Sequence, residues 1–483
     1  MIDFKQTKKI EFGDFQTPIE LTEIITKKLI NLKVEPDLII EPTCGTGNFL
    51  LAASKNFELA TKIVGIEINS AYLEKIKSNK ILDRDSRIII QQQNFFDFLG
   101  LNFIDSFQGT ILLLGNFPWV TNSRQGVIKG KNLPQKNNFQ NHKGLDAVTG
   151  KSNFDISEWM LIKTVDWLQS YNGYLAMLCK TSVARKILSY IHHHQLNLSY
   201  CATYRIDTKK YFDANVESCL LFCDFRHNKK QYFCDVFSSI NSFKYQRIGY
   251  YHKTLVRDID IFKKVSYLFS ENNLIQWRSG IKHDCSKVME LTQKNHNLVN
   301  GFGEIVDLED TYLYPLLKGS DVANGKIEYT TKYVLVTQKH IGESTETIKE
   351  VAPKTWHYLS KYSEYLDNRK SKIYKTKPRF SIFGIGNYSF QKWKIAISGL
   401  YKQLHFQLIS EIDNKSTLFD DTVYFLSFEN QKEAEKIYRL LNSKPIYNFY
   451  SSLIFWDEKR PIKASILNKL DIEKAYQLLN NYN

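Results

Sequence analysis

Proline is scarce in this chain, with 10 in 483 residues, and methionine is scarcer still with 4. The seven cysteines never fall into a CxxC pair. A disulfide framework and a structural zinc site are therefore not expected, and Cys44, Cys179, Cys201, Cys219, Cys223, Cys234 and Cys285 read as reduced thiols of a cytoplasmic protein. No stretch reaches the roughly 18 consecutive apolar residues that cross a bilayer, so no membrane role is expected. The first residues, MIDFKQTKKIEFGDF, lack an apolar run followed by a small-residue cleavage site, and a signal peptide is not expected either. Internal repeats and low-complexity tracts are also missing.

The apolar fraction of 43% and the aromatic fraction of 14% are ample for packed interiors. A chain of this length outgrows one ordinary core and predicts two domains. The net charge is +14, divided as +5 up to residue 235 and +9 beyond it. Positive charge suits a polyphosphate partner, because each neutralised phosphate releases counterions. A generally basic, lysine-rich composition explains the same number equally well, so charge alone decides nothing.

Residues 36 to 120 carry a strand–helix rhythm. PDLIIEP, KIVGIEIN, RIIIQQQNFFDF and GTILLLGNFPW read as strands, while GTGNFLLAASKNF and AYLEKIKSNKIL have apolar positions at helical spacing. Uninterrupted apolar strands such as ILLL are expected where helices cover both faces of a parallel sheet. The rhythm predicts a doubly wound α/β sheet. It continues through the helix ISEWMLIKTVDWLQ, the strand GYLAMLCK, a helix near VARKILSYIHHH and the strands CATYRI and ESCLLFCDF. The sheet domain is thus expected over 1–235, with a second domain over 236–483. Between residues 121 and 153 six Lys or Arg side chains face the single acid Asp146, which predicts a polar loop.

In such sheets ligands bind outside the carboxyl ends of the strands, near the switch in strand order. Glu41, Glu67, Asn94 and Asn116 all fall at those ends. Glu41-Pro42-Thr43-Cys44-Gly45-Thr46-Gly47-Asn48-Phe49 spans a strand-to-helix junction, where glycines admit a ligand close to the backbone. Glu67 ends the next strand, where an acid typically holds a ribose hydroxyl pair. Read alone, it fits a solvated carboxylate just as well. Asn116-Phe117-Pro118-Trp119 follows ILLLG. An exocyclic amine is a poor nucleophile because its lone pair is delocalised. The Asn116 side-chain carbonyl and the Phe117 backbone carbonyl are suited to accept its two hydrogens. Pro118 stiffens the turn, and Trp119 offers a face for a base.

Taken together these segments resemble the bacterial DNA amino-methyltransferases, in the order with the cofactor region first, the catalytic tetrapeptide next and target recognition last. The resemblance runs over roughly residues 10 to 225. It implies a Rossmann-like doubly wound methyltransferase sheet, a second α+β target-recognition domain, and S-adenosylmethionine as cofactor. Phe12-Gly13-Asp14-Phe15-Gln16-Thr17-Pro18 is similar to the family's amino-terminal motif, which places Phe15, Gln16, Thr17 and Pro18 over the methionine end of the cofactor. By the same resemblance Glu41, Thr43, Gly45, Gly47 and Phe49 form the cofactor loop, with Glu67 and Ile68 at the ribose. Asn94 stands where the family usually has an aspartate for the cofactor adenine, with Asp97 as the rival, and Phe95 would pack near that ring. Asn116 to Trp119 resembles the catalytic (Asp/Asn/Ser)-Pro-Pro-(Tyr/Phe/Trp) motif, with Phe117 replacing the first proline. Tyr211 to Val216 resembles the motif whose aromatic residue meets the other side of the extruded base, so Phe212 would sandwich the base opposite Trp119.

The implied reaction is direct methyl transfer to N6 of a flipped adenine in double-stranded DNA, without metal or covalent intermediate. The implied setting is restriction-modification, with cleavage left to a separate cognate endonuclease, since the chain has no readable nuclease motif. Three alternatives stay open: N4 of cytosine, an RNA or protein-amide substrate, and a non-catalytic binder that keeps the fold. In the second domain Arg369, Lys372, Lys375, Lys377 and Arg379, interleaved with tyrosines, are candidates to grip phosphates. His192-His193-His194 reads as a solvated helix end.

Overall fold

The computed structural model describes residues 16–95, 107–119, 156–273 and 275–480. The chain forms two compact units, Met1–Leu255 and Val256–Asn483.

The first unit is built on a ten-stranded sheet. In chain order its elements are α1 (Ile19–Asn31), β1 (Leu38–Glu41), α2 (Asn48–Asn56), β2 (Lys62–Glu67), α3 (Ser70–Ser78), α4 (Lys80–Arg84), β3 (Ile88–Gln92) and β4 (Ile111–Asn116). They continue with α5 (Ile156–Leu168), β5 (Gly173–Lys180), α6 (Thr181–His193), β6 (Tyr200–Ile206), α7 (Thr208–Phe212), β7 (Ser218–Asp224), β8 (Phe233–Phe237), β9 (Tyr245–Tyr251) and β10 (Thr254–Val256). The strand order is β10-β9-β8-β6-β7-β5-β4-β1-β2-β3. Strands β3, β2, β1, β4 and β5 run parallel, and β7 enters antiparallel beside β5. The chain winds outward from β1 to β3 and then returns to lay β4 against β1, so the order switches between β1 and β4.

Sequence explains these elements locally. In α1, Leu21, Ile25 and Leu29 recur at intervals of four and are fully buried. Helix α3 opens on Asn69, whose side chain accepts from the Ala71 N–H and so satisfies one exposed donor of the first turn. Ile111 to Gly115 of β4 are all buried, as a central parallel strand requires. Each such Leu or Ile contributes about 1.5–3 kcal/mol on leaving water.

The unit ends later than the expected residue 235. After β7 the chain adds β8 parallel to β6 and β9 antiparallel to β8, with β10 at the edge beyond β9. These edge strands lack the strand–helix rhythm of the first half, so alternation in sequence does not reveal them.

The second unit holds two further sheets. One has six strands, β11 (Glu290–Lys294), β12 (Asn297–Val299), β13 (Ile305–Val306), β14 (Leu313–Leu317), β15 (Lys332–Leu335) and β16 (Leu418–Phe419), around a core that includes Leu291, Val334 and Leu359. The other contains β17 (Trp393–Ser398) and β18 (Val423–Phe428) in antiparallel register, flanked by the short strands Gln407–Ile409 and Arg278–Ser279. Helices α8 (Gln431–Leu441) and α9 (Lys444–Leu453) follow. Arg369 is not a phosphate grip. It is 7% exposed and donates to the carbonyls of Leu366, His283 and Ser381, with its guanidinium over the Tyr374 ring. Arg379 is paired with Asp367 at 2.7 Å.

Candidate active site

The switch between β1 and β4 sets Glu41 and Asn116 on neighbouring strands, since Leu38 lies opposite Ile111 in a parallel register. Glu67 ends β2 on the other side of β1. Three residues far apart in sequence thus share one carboxyl edge.

Beyond β1 the chain turns tightly into α2. Gly45 (φ 53°) and Gly47 (φ 83°) both adopt the left-handed conformation that costs a side-chain-bearing residue about 1–2 kcal/mol. A Cβ at Gly45 would stand 2.4 Å from the Gln16 side-chain oxygen. That oxygen accepts from the Thr46 N–H at 2.9 Å and the Thr46 hydroxyl at 3.0 Å, and the Thr17 carbonyl accepts from Asn48 Nδ2 at 2.8 Å. The amino-terminal segment is therefore strapped across the glycine turn. The Glu67 carboxylate accepts the Gly45 N–H and the Asn69 N–H, both at 2.8 Å, which fixes its position while it stays 9% exposed. Ile68 beside it is 37% exposed, and Asn94, at the exit of β3, is half-buried.

Glu41 is buried, and among the described residues its Oε2 has no hydrogen-bond partner. Burial, reinforced by the nearby Glu67, pushes its carboxyl well above the usual range, while the Leu50 N–H in the first turn of α2 works against the shift. The Cys44 thiol is pushed up for the same reasons, burial first and then Glu41 and Glu67. A buried acid short of a donor, beside a second acid and a glycine turn, calls for a cationic ligand.

Asn116 is oriented by two threonines. Its Nδ2 donates to the Thr17 hydroxyl at 3.3 Å, which turns the amide carbonyl the other way, and its backbone carbonyl accepts the Thr43 hydroxyl at 3.2 Å. The Phe117 side chain is 1% exposed and packs edge-on against Phe95 at 5.3 Å. Phe95 in turn meets Trp159 at 6.2 Å and Trp167 at 5.5 Å on α5. Phenylalanine in place of a proline therefore anchors the turn by packing. Pro118 is half-buried, and Trp119 is 7% exposed. Trp119 and Phe212 touch, with centroids 5.2 Å apart and planes at 58°. Phe49 lies 2% exposed within the core beneath the turn.

Of the residues singled out from the sequence, Gln16, Thr17, Pro18, Glu41, Thr43, Gly45, Gly47, Glu67 and Asn116 gather along this edge. Phe49 and Phe95 lie in the packing beneath it. Phe15, Asp97 and the basic loop 121–153 lie outside the described residues. The roles of Thr46 and Asn48 in holding the strap, and of Trp159 and Trp167 behind Phe117, were missed. Only the spacing of the two tryptophans along one apolar helix hinted at them. The expected solvated histidine tail differs at His192, whose ring stacks on Tyr250 at 3.7 Å.

Two family models match the chain: N-6 DNA Methylase over residues 1–171 and the TaqI-like C-terminal specificity domain over residues 314–472. The Type II methyltransferase M.NspV of Nostoc sp. is 59% identical over 473 residues, covering 98% of both chains. The chain belongs to the N6-adenine DNA methyltransferases. The methyltransferase also shares its fold with the Type IIL restriction-modification enzyme MmeI, solved in complex with DNA, at 14% identity and a TM-score of 0.54. That match covers 97% of this chain and 66% of the MmeI chain. Among the described residues no helix of the methyltransferase is long and apolar enough to cross a membrane.

Proposed function

We propose that this adenine methyltransferase of the restriction-modification type uses the carboxyl edge of β1, β2 and β4 to bring S-adenosylmethionine and a flipped adenine together. The cofactor supplies an electrophilic methyl on its sulfonium. The buried, under-satisfied Glu41 carboxyl fits the cationic methionine end, and the strap of Gln16, Thr17 and Pro18 would close over it. Gly45 and Gly47 let the backbone approach, Glu67 and Ile68 would flank the ribose, and Asn94 would accept from the cofactor adenine.

The substrate base enters next to Asn116. The amide oxygen of Asn116, set on the side opposite the Nδ2 that bonds Thr17, and the Phe117 carbonyl would accept the two N6 hydrogens and localise the nitrogen lone pair. When bound, the cofactor would present its sulfonium methyl in line with N6 and leave as a neutral thioether, and the N6 proton would pass from these hydrogen bonds to solvent, since neither carbonyl is basic enough to keep it. Positioning in a site that excludes water supplies most of the acceleration. Trp119 would stack on one face of the base and Phe212 would meet its far side only after the two rings, whose centroids stand 5.2 Å apart in this structure, part to admit it.

The observation that carries this reading is the Thr17–Asn116 hydrogen bond at the switch between β1 and β4. It ties the cofactor strap to the catalytic amide. A second protein that cleaves the unmethylated site would complete the system.

The test is expression in a methylation-deficient bacterial host, followed by sequencing that detects both N6-methyladenine and N4-methylcytosine. N6-methyladenine at one short sequence, absent with Asn116→Ala, is the expected result. Unmodified DNA from folded, cofactor-binding protein would overturn the reading, and N4-methylcytosine would move the target to the other base.

A further inference from the structure

The second unit carries a hollow of about 620 Å³, open to solvent and lined by Lys402, Gln403, Leu404, His405, Tyr447 and Trp456. It is unlike a packing defect. Among the described residues the side chains of Lys402, Gln403 and His405 form no hydrogen bond or ion pair with the protein, although all three border the same space. They are exposed, with Tyr447 and Trp456 forming aromatic walls.

The loop that presents them is held at both ends. At its start the Gly399 N–H donates to the Thr422 carbonyl at 2.7 Å. A Cβ at Gly399 would stand 2.8 Å from the Tyr424 ring and 3.0 Å from the Thr422 carbonyl oxygen, so nothing larger fits. At its end Phe406 is 1% exposed and packs against Trp277 at 5.5 Å and Tyr450 at 5.9 Å. The Asn442 side chain clasps the Phe406 backbone from both sides, accepting its N–H at 3.2 Å and donating to its carbonyl at 3.3 Å. Six residues, 400–405, are thus pinned between two buried anchors, and the polar side chains of Lys402, Gln403 and His405 are exposed. A loop anchored at both ends presents these groups to a partner with little backbone left to order on contact.

The chemistry of the tips selects the partner. Lysine donates, histidine donates or accepts, and glutamine does both through one planar amide, the group that pairs bidentately with an adenine edge in the major groove. Lys444 adds positive charge beside Tyr447, with Nζ 5.0 Å from its ring. Cationic and donor–acceptor side chains on a loop anchored at both ends match the edges and phosphates of duplex DNA. The loop also lies inside the segment that matches the specificity-domain model.

We infer that loop 400–405 is a sequence-reading element of this methyltransferase, with Gln403 and His405 contacting base edges and Lys402 a base edge or an adjacent phosphate. This rests on the proposed methylation of DNA and adds the residues that choose the site.

The test uses the full chain with Lys402→Ala, Gln403→Ala and His405→Ala, each side chain being exposed and outside the first unit. Cofactor binding and thermal midpoint should match wild type. Methylation of a library of duplexes, each differing from the recognised sequence at one position, is then read by sequencing. Gln403→Ala and His405→Ala should each relax discrimination at one position by roughly 5- to 150-fold. Lys402→Ala should either relax one position likewise or weaken binding to all duplexes with a salt slope reduced by about 1. If all three variants keep the wild-type preference, salt slope and kcat/KM, the inference is overturned while the methylation reading stands. A wild type that marks no DNA overturns both.

Discussion

Lys394 gives the sharpest stability prediction. It sits on β17, 1% exposed, and its ammonium donates to the carbonyls of Gln391 at 3.0 Å and Thr417 at 2.8 Å. Burial lowers its pKa from the ordinary 10.5 to about 7, although Glu411 nearby favours the charged form. Between those two values the unfolded chain holds a proton that the folded chain has released. Stability therefore rises with pH across this window, and the full penalty is present below about 7. At 1.36 kcal/mol per pH unit the span is worth about 5 kcal/mol. Lys394→Met removes the titration. It also leaves two carbonyls without their donor, a pH-independent cost of about 1–3 kcal/mol each. Urea unfolding of both proteins at a series of pH values from about 6 to about 10 isolates the effect, because other titrations cancel in the difference. Wild type should gain on the variant by roughly 1 kcal/mol per pH unit above about 7. A difference that stays constant with pH would refute the assignment of a neutral buried lysine.

Three further outcomes concern the active site. Because the Glu41 carboxyl is held well above its usual range, binding a cationic ligand should release its proton; S-adenosylmethionine affinity should then rise with pH up to that raised pKa and level off above it, and calorimetry on Glu41→Gln should find that slope gone. Gly45→Ala must adopt φ near 53° and displace the Gln16 side chain, so cofactor affinity should fall by about 1–2 kcal/mol, and unchanged affinity would count against the strap. Phe212→Ala should lower kcat/KM on duplex DNA by roughly 5- to 150-fold, the worth of one stacked base, with cofactor affinity unchanged; full activity would exclude Phe212 from the base site.

Much of this protein was legible locally. The strands LIIE, KIVGIE and ILLLGN are continuous apolar runs because helices cover both faces of a parallel sheet. The glycine turn is legible because left-handed backbone demands glycine at 45 and 47. Other features have no local trace. Thr17 meets Asn116 across 99 residues, and Arg369 meets His283 across 86, only because strand order and helix packing close those distances. Arg369 and Lys394 look like surface charges in sequence, since burial is a property of what lies across from a side chain and not of its neighbours in the chain.

The sequence by itself determined the sheet type, the order of motifs and the chemistry available at each strand end, because periodicity and glycine placement act within a few residues. The tertiary structure alone decided that Phe117 is an anchor against Phe95, that Trp119 and Phe212 touch at 5.2 Å, and that the sheet continues to β10. It also decided that loop 400–405 is pinned by Gly399 and Asn442. Each of these depends on register between segments whose meeting is fixed by burial of the whole core, a free energy no single stretch of sequence carries.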